Sequence, residues 1–163
     1  MSSAVSTGKS RIWTVLITVR RGAKVPFRVG ALSNLVCSIL AEAPFQKVGA
    51  GFSEVSILFC KDREIHRLNR DYRGKDKPTD VLSFAQEDQP KGAGHSPSLG
   101  DLVISVDTAR RQAREFKVTY RQEILRLIIH GLLHLAGYDH EKVPAKVAQR
   151  MRRAEERLFN SYK

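Results

Sequence analysis

The chain has 163 residues, 42% of them hydrophobic and 28% charged, which fits one globular domain with one core and excludes a disordered chain. No apolar run reaches about 18 residues and no cleavable leader is recognised at the N-terminus, so we expect a cytoplasmic protein without a membrane span. The net charge of +11 at pH 7 favours polyanionic partners, with nucleic acid first among them.

The N-terminal half of the chain predicts two strands and two helices. Residues 1–10 are small and polar, and we expect them to form a disordered basic N-terminus. Strands are predicted over Ile12–Val19 and Val55–Cys60, where β-branched and aromatic residues are enriched. Helices are predicted over Phe27–Ala43 and Asp62–Asn69, with Asp62 as the N-cap, because apolar residues recur there at helical spacing.

The C-terminal half predicts two strands, three helices and two loops. A polar loop is predicted over Tyr72–Pro78, and a flexible loop rich in Gly, Pro, Ser and Gln over 86–98. The two strands are predicted over Asp80–Phe84 and Leu102–Val106. The three helices are predicted from Asp107 or Thr108 to Phe116, over Thr119–Ala136 and over Pro144–Phe159. The pattern predicts a single α+β (α/β) domain over residues 11–163. Its small mixed sheet of about four strands is expected to pack with four or five helices around one central helix.

The helix predicted over Thr119–Ala136 carries the chemistry. It is apolar nearly all round, so it should be buried, yet four polar residues follow one stripe at separations of three, four and four: Glu123, Arg126, His130 and His134. Glu123 and Arg126 are expected to pair along this stripe or to reach the site.

His130 and His134 are four residues apart, so their imidazoles should point the same way. Gly137 ends the helix, which lets the chain turn back and bring His140 to the same point. Three imidazoles leave a fourth tetrahedral position open, and that arrangement is typical of catalytic zinc. We therefore expect one Zn²⁺ per chain on a central metal-binding helix.

The histidine spacing equals that of the metzincin protease signature H-E-x-x-H-x-x-G-x-x-H. The glutamate that acts as general base in those enzymes is replaced by Gly131, which cannot accept a proton. This substitution argues against ordinary peptide hydrolysis. A metalloprotease with an altered mechanism is left as an alternative.

Three segments resemble the YbeY family of metal-dependent endoribonucleases. The run HGLLHLAGYDH at 130–140 resembles the family signature, and 69–84 and 99–105 resemble its second and third motifs, in the family's order. The similarity extends over roughly residues 52–158. One departure is Ala85 after Phe84, where the family usually has proline.

The resemblance implies a zinc-bound α/β domain that cleaves single-stranded RNA in ribosomal RNA maturation and ribosome quality control. Its metal ligands map onto His130, His134 and His140, and its conserved arginine onto Arg73. Ribosomal RNA and the ribosome or its assembly proteins are the implied partners. Arg73 is the candidate for holding the scissile phosphate, since a guanidinium fork matches phosphate oxygens.

Other candidates surround these residues in the sequence. Asp139 is either a partner of a ligand histidine's outer N–H or a turn residue, and Glu141 is a proton-transfer candidate. The candidates for RNA contact are Tyr72, Lys75, Lys77 and Tyr138, with packing in the fold as the alternative for each tyrosine. A ribosome-associated RNA-binding protein whose metal is mainly structural is the second alternative.

Overall fold

One mixed sheet forms the centre of the domain. The computed structural model describes residues 4–5, 13–47, 54–85, 98–138 and 143–163. Within them five strands lie in the order β1-β2-β3-β5-β4. The strands are β1 (Ala4–Val5), β2 (Trp13–Val19), β3 (Glu54–Cys60), β4 (Val81–Ala85) and β5 (Ser98–Ser105). The helices are α1 (Val29–Leu40), α2 (Asp62–Arg73), α3 (Val106–Glu115), α4 (Tyr120–Leu135) and α5 (Ala145–Tyr162).

The sheet confirms the predicted mixed architecture. β2, β3 and β5 run parallel, and β1 and β4 join them antiparallel at the two edges. The four predicted strands correspond to β2 to β5. Of residues 1–10, predicted to be disordered, the structure describes only Ala4–Val5 and places them in β1. Residues 86–97 of the predicted flexible loop lie outside the described residues.

β5 begins earlier than the prediction over Leu102–Val106, because Ser98 pairs with β3 and Gly100 pairs with β4. Ala85 lies opposite Gly100 in that pairing. Gly100 has φ +138°, and a Cβ there would collide with the carbonyl oxygen of Phe84. Only glycine lets β4 and β5 approach this closely. Gly100 interrupts the strand pattern of the sequence but is part of β5.

The two faces of the sheet carry cores of different size. On one face α1, α4 and the inner side of α5 form the main core, in which α4 packs against β4 and β5. On the other face α2 covers a small cluster made of Cys60, Ile65, Leu82 and Val103. None of the helices in the described ranges is long and apolar enough to cross a membrane.

The C-terminal end of α2 corrects the predicted boundary at Asn69. The helix continues to Arg73 and ends at Gly74, whose φ of 65° allows the N–H groups of Gly74 and Lys75 to reach the carbonyls of Arg70 and Asn69. Tyr72 and Arg73 therefore belong to the last helical turn. The prediction that they lie in a loop was wrong.

Four helix starts also differ from the prediction. α1 covers Val29–Leu40 instead of Phe27–Ala43. Lys61 is the N-cap of α2, and the carboxylate of Asp62 accepts hydrogen bonds from Ser105 and Thr108 instead. Ser105 caps α3 in place of Asp107 or Thr108, and α5 starts one residue after Pro144. In contrast, α4 starts as predicted, with Thr119 in a capping box.

Candidate metal centre

Two of the three predicted metal ligands lie side by side on α4. The ring centroids of His130 and His134 are 4.7 Å apart and their planes are inclined by 71°. Both side chains are half-buried. The four-residue spacing has therefore placed both imidazoles on one side of the helix, as a shared cation requires.

The turn after α4 has the geometry that the sequence predicted. Gly137 has φ 82° and its N–H donates to the carbonyl of His134 over 2.9 Å. The N–H of Tyr138 donates to the carbonyl of Leu133, also over 2.9 Å. This pair of bonds is the Schellman motif, which reverses the chain direction after the last histidine of the helix.

The third predicted ligand, His140, lies outside the described residues, as do Asp139 and Glu141. Their roles stay predictions. Within the described ranges no group of three or more His, Cys, Asp or Glu side chains could hold a metal ion. The described residues thus supply two of the three expected nitrogen donors.

Gly131 lies where α4 touches the sheet. A Cβ at this position would be 2.7 Å from Cδ2 of Leu102 and 3.4 Å from Oγ of Ser83. A side chain at this position would therefore require the Leu102 side chain to shift. Glycine thus fits the close contact between α4 and the Leu102 side chain of β5.

A cluster of charges continues the histidine stripe toward the start of α4, and we call it the Arg126 cluster: Asp80, Glu123, Arg126 and Glu155. Arg126 donates to both carboxylate oxygens of Glu123, over 2.6 and 3.0 Å, and Glu123 is only 1% exposed. Its guanidinium also lies 3.9 Å from Asp80 and from Glu155. Burial works against the charge on Arg126, but the hydrogen bond to Glu123 and the surrounding carboxylates outweigh it and raise the pKa of Arg126.

Glu155 connects this cluster to the histidines, and the sequence did not single it out. Its Oε2 is 3.5 Å from Nδ1 of His130. A signal was present in the sequence, because Met151 and Leu158 are buried on one stripe of α5 and Glu155 falls on the same stripe. An acid among core positions indicates a partner inside the protein.

Arg73 lies at the end of α2, which covers the opposite face of the sheet from α4. Its Nη2 donates to the carbonyl of Ser83 over 3.4 Å. The hydroxyl of Ser83 in turn donates to the carbonyl of Gly131 over 3.5 Å. The edge strand β4 therefore joins the arginine of α2 to the helix that carries the histidines.

A groove of about 930 Å³ opens beside Arg73 on the α2 face. Its walls combine two arginines, an exposed tyrosine, strand hydroxyls and one acid: Arg20, Arg73, Tyr72, Thr18, Ser56, Ser83 and Asp101. His130 and His134 are not among its lining residues. The groove thus leads to Arg73 and to the β4 edge without including the histidine pair.

The sequence profile of the family described as "Endoribonuclease YbeY" matches residues 20–163. The chain belongs to the YbeY family. Proteins named Endoribonuclease YbeY are 52% identical over 106 residues in Myxococcus xanthus, 46% over 107 in Syntrophotalea carbinolica and 50% over 142 in an Anaeromyxobacter strain. These matches cover 65%, 66% and 87% of this chain, and 35%, 71% and 70% of the respective relatives.

A solved structure resembles this YbeY family member along most of its length. The solution structure of a Thermotoga maritima protein has a TM-score of 0.55 and 27% sequence identity, with 91% of each chain covered. The agreement extends over most of the α+β domain, so the fold of this chain is one that is already known.

In this YbeY chain the predicted RNA contacts fall into two groups. Tyr72 is 70% exposed and its ring meets Phe84 edge to face, with centroids 5.4 Å apart. Lys75 and Lys77 are exposed in the segment between α2 and β4. Tyr138 is half-buried against the main core, and its hydroxyl accepts a bond from Arg150 over 3.4 Å. The first group lies beside Arg73, whereas Tyr138 packs under α5.

Proposed function

We propose that this chain is a zinc-dependent endoribonuclease that cleaves single-stranded RNA. We propose further that it acts in ribosomal RNA maturation and ribosome quality control, in the cytoplasm, in contact with the ribosome or its assembly proteins. The observation that carries the proposal is the pair of imidazoles with centroids 4.7 Å apart on a buried helix. Family membership supplies the reaction class, because the relatives are named endoribonucleases.

The residues beside the imidazole pair favour a divalent cation. The Arg126 cluster holds three acids and one arginine, a formal charge of −2 next to His130. Excess negative charge near neutral nitrogen donors lowers the energy of a bound cation. We propose that His130, His134 and His140 hold one Zn²⁺ per chain, with the third ligand taken from the sequence prediction. The bound ion would supply a Lewis acid for phosphodiester hydrolysis.

Arg73 is the proposed phosphate-binding residue. A guanidinium has five N–H donors, and its contact with Ser83 uses one of them. The side chain is exposed at the end of α2, so a phosphate group can approach it from the groove. Its charge would stabilise the additional negative charge that develops on the phosphoryl oxygens in the transition state.

The groove beside Arg73 suits a single strand better than a duplex. The exposed ring of Tyr72 offers a face on which an unpaired base can stack, and duplex bases are already stacked on each other. Lys75 and Lys77 are exposed close by and can contact the sugar-phosphate backbone.

The protease alternative conflicts with the packing of Gly131. Gly131 supplies no general base, and a Cβ there would already lie 2.7 Å from Cδ2 of Leu102. No described contact favours a peptide substrate. The alternative in which the metal is mainly structural predicts zinc binding without cleavage, and the experiment below separates it.

The test compares cleavage of a labelled single-stranded RNA, the same RNA as a duplex, and denatured casein by the zinc-loaded protein. Two variants accompany the wild type. Arg73→Ala removes the proposed phosphate contact, and Arg70→Ala is its matched control, because Arg70 is also exposed, lies one turn earlier on α2 and pairs with Asp71.

We expect the wild type to cut the single strand only. Loss of one charged transition-state contact should lower the cleavage rate of Arg73→Ala by about 10²- to 10³-fold, while Arg70→Ala stays near the wild type. Zinc binding without RNA cleavage would favour the structural-metal alternative. Cleavage of casein alone would favour the protease, and equal rates for both arginine variants would contradict the role of Arg73.

A further inference from the structure

We infer that Glu155 is a positioning residue for His130 and that it directs Nε2 of this imidazole toward the metal. The inference rests on the proposed zinc site. Its starting point is the 3.5 Å contact between Oε2 of Glu155 and Nδ1 of His130. A histidine that donates its Nδ1–H to a carboxylate has one tautomer and one ring orientation, and its lone pair is then on Nε2.

Glu155 is itself held by the Arg126 cluster. Its other oxygen, Oε1, lies 3.9 Å from Nη1 of Arg126. Arg126 is fixed in turn by two hydrogen bonds to Glu123, which is 1% exposed. A chain of charged contacts therefore runs from the buried acid through the arginine to the carboxylate beside the histidine.

This chain of contacts joins elements that are distant in the sequence. Glu155 comes from α5, whose residues Met151 and Leu158 are anchored in the main core. The position of the carboxylate is thus set by core packing on one side and by Arg126 on the other. Such support is what a ligand imidazole needs in order to keep its orientation when the metal is removed.

A carboxylate beside a ligand histidine also increases the basicity of the imidazole, so it strengthens the bond to a cation. The effect should be visible without any RNA. Loss of an outer carboxylate of this kind typically weakens metal binding by about 10- to 100-fold.

The experiment measures the zinc dissociation constant of the metal-free full chain by competition with a chromophoric chelator. It compares the wild type with Glu155→Ala, Glu155→Gln and Glu156→Gln. Glu156 is the matched control, since it is the next residue on α5 and is exposed. For each protein we also measure the melting temperature without metal and the visible spectrum after loading with cobalt.

We expect Glu155→Ala to raise the zinc dissociation constant by about 10- to 100-fold. Glu155→Gln should fall between it and the wild type, because the amide oxygen still accepts the N–H but carries no charge. Glu156→Gln should match the wild type. The cobalt spectrum should change in Glu155→Ala, and the metal-free melting temperature of Glu155→Gln should stay near that of the wild type.

Equal dissociation constants and equal cobalt spectra for the wild type and both Glu155 variants would overturn the positioning role alone. A loss of affinity that only follows a lower metal-free melting temperature would also overturn it, since Glu155 would then merely stabilise the fold. Failure of the wild type to bind zinc would overturn the proposed metal site, and this inference with it.

Discussion

Two polar clusters in this domain each pair an arginine with a carboxylate and differ in charge balance. In the Asp62 cluster, one carboxylate accepts from Ser105 over 2.5 Å, from Thr108 over 2.7 Å and from Arg111 over 2.8 Å. The Asp62 carboxylate therefore has donors on both of its oxygens. In the Arg126 cluster, three acids surround one guanidinium, next to a histidine pair.

The two clusters differ in the number of acids around each arginine. Asp62 ties the start of α2 to the start of α3, and its donors satisfy it without any outside group. The Arg126 cluster holds three acids around one arginine, beside the histidine pair. We propose that the excess of acids marks the Arg126 cluster as a neighbour of the metal site, whereas the Asp62 cluster is structural.

The largest expected effect is the loss of RNA cleavage when a metal-ligand histidine is replaced. We expect His134→Ala to lower RNA cleavage by at least about 10³-fold, because a lost metal ligand removes several kcal/mol of transition-state stabilisation. Asp62→Asn should keep wild-type cleavage at 25 °C. Zinc content and cleavage rate measured on the same samples check both, and an active His134→Ala would contradict the proposed site.

The next effect concerns the buried acid of the Arg126 cluster. Glu123→Ala leaves Arg126 without its two closest hydrogen bonds in a half-buried position. We expect the free energy of unfolding to fall by about 2 to 3 kcal/mol, less than for a fully buried pair because Arg126 keeps contact with water and with Asp80. Urea denaturation measures it. A smaller loss of unfolding free energy in Glu123→Ala than in Asp62→Asn would contradict this prediction.

Gly131 tests whether close packing positions the histidine stripe. Gly131→Ala adds a Cβ that would be 2.7 Å from Cδ2 of Leu102, so we expect a destabilisation of about 2 kcal/mol and weaker zinc binding. The control is Gly30→Ala in α1, where a Cβ meets nothing within 4 Å. That change should stabilise the helix slightly. Similar effects at the two glycines would contradict the packing argument.

The smallest expected effect is the loss of stability in Asp62→Asn, and it depends on pH. Burial opposes ionisation of Asp62, but its bonds to Ser105, Thr108 and Arg111 outweigh this and lower its pKa below 3.8. Its stabilisation is therefore present above pH 3.8 and is lost as the pH falls through the lower folded-state value. Asp62→Asn should cost about 1 kcal/mol at pH 7 and progressively less in acid. A difference that grows in acid would be contrary to this assignment.

The sequence was sufficient where a single helix or strand decides the geometry. The spacing of His130 and His134, the glycine stop at Gly137 and the Thr119 cap all depend on residues within one helix, and each appears as predicted. The four strands were also predicted from their local sequence patterns. The start of β5 was missed because Gly100 interrupts its pattern. Local periodicity and caps were enough for these features.

The sequence was insufficient where contacts join distant elements. Glu155 meets His130 across 25 residues, and Arg73 meets Ser83 only because α2 extends to the β4 edge. The role of Asp62 was missed because its partners lie 43 and 46 residues away, whereas an N-cap is a local feature. Such pairs are set by tertiary packing and leave no local signal.

X-ray absorption at the zinc edge of the loaded protein tests the central proposal most directly. We predict multiple scattering from three imidazoles, with nitrogen and oxygen donors at about 2.0 to 2.1 Å, and loss of this pattern in His130→Ala/His134→Ala. Cys37 and Cys60 are buried free thiols, and we do not expect either to contribute. A sulfur shell at about 2.3 Å, or an imidazole signal that is unchanged in the double variant, would contradict a catalytic site built on α4.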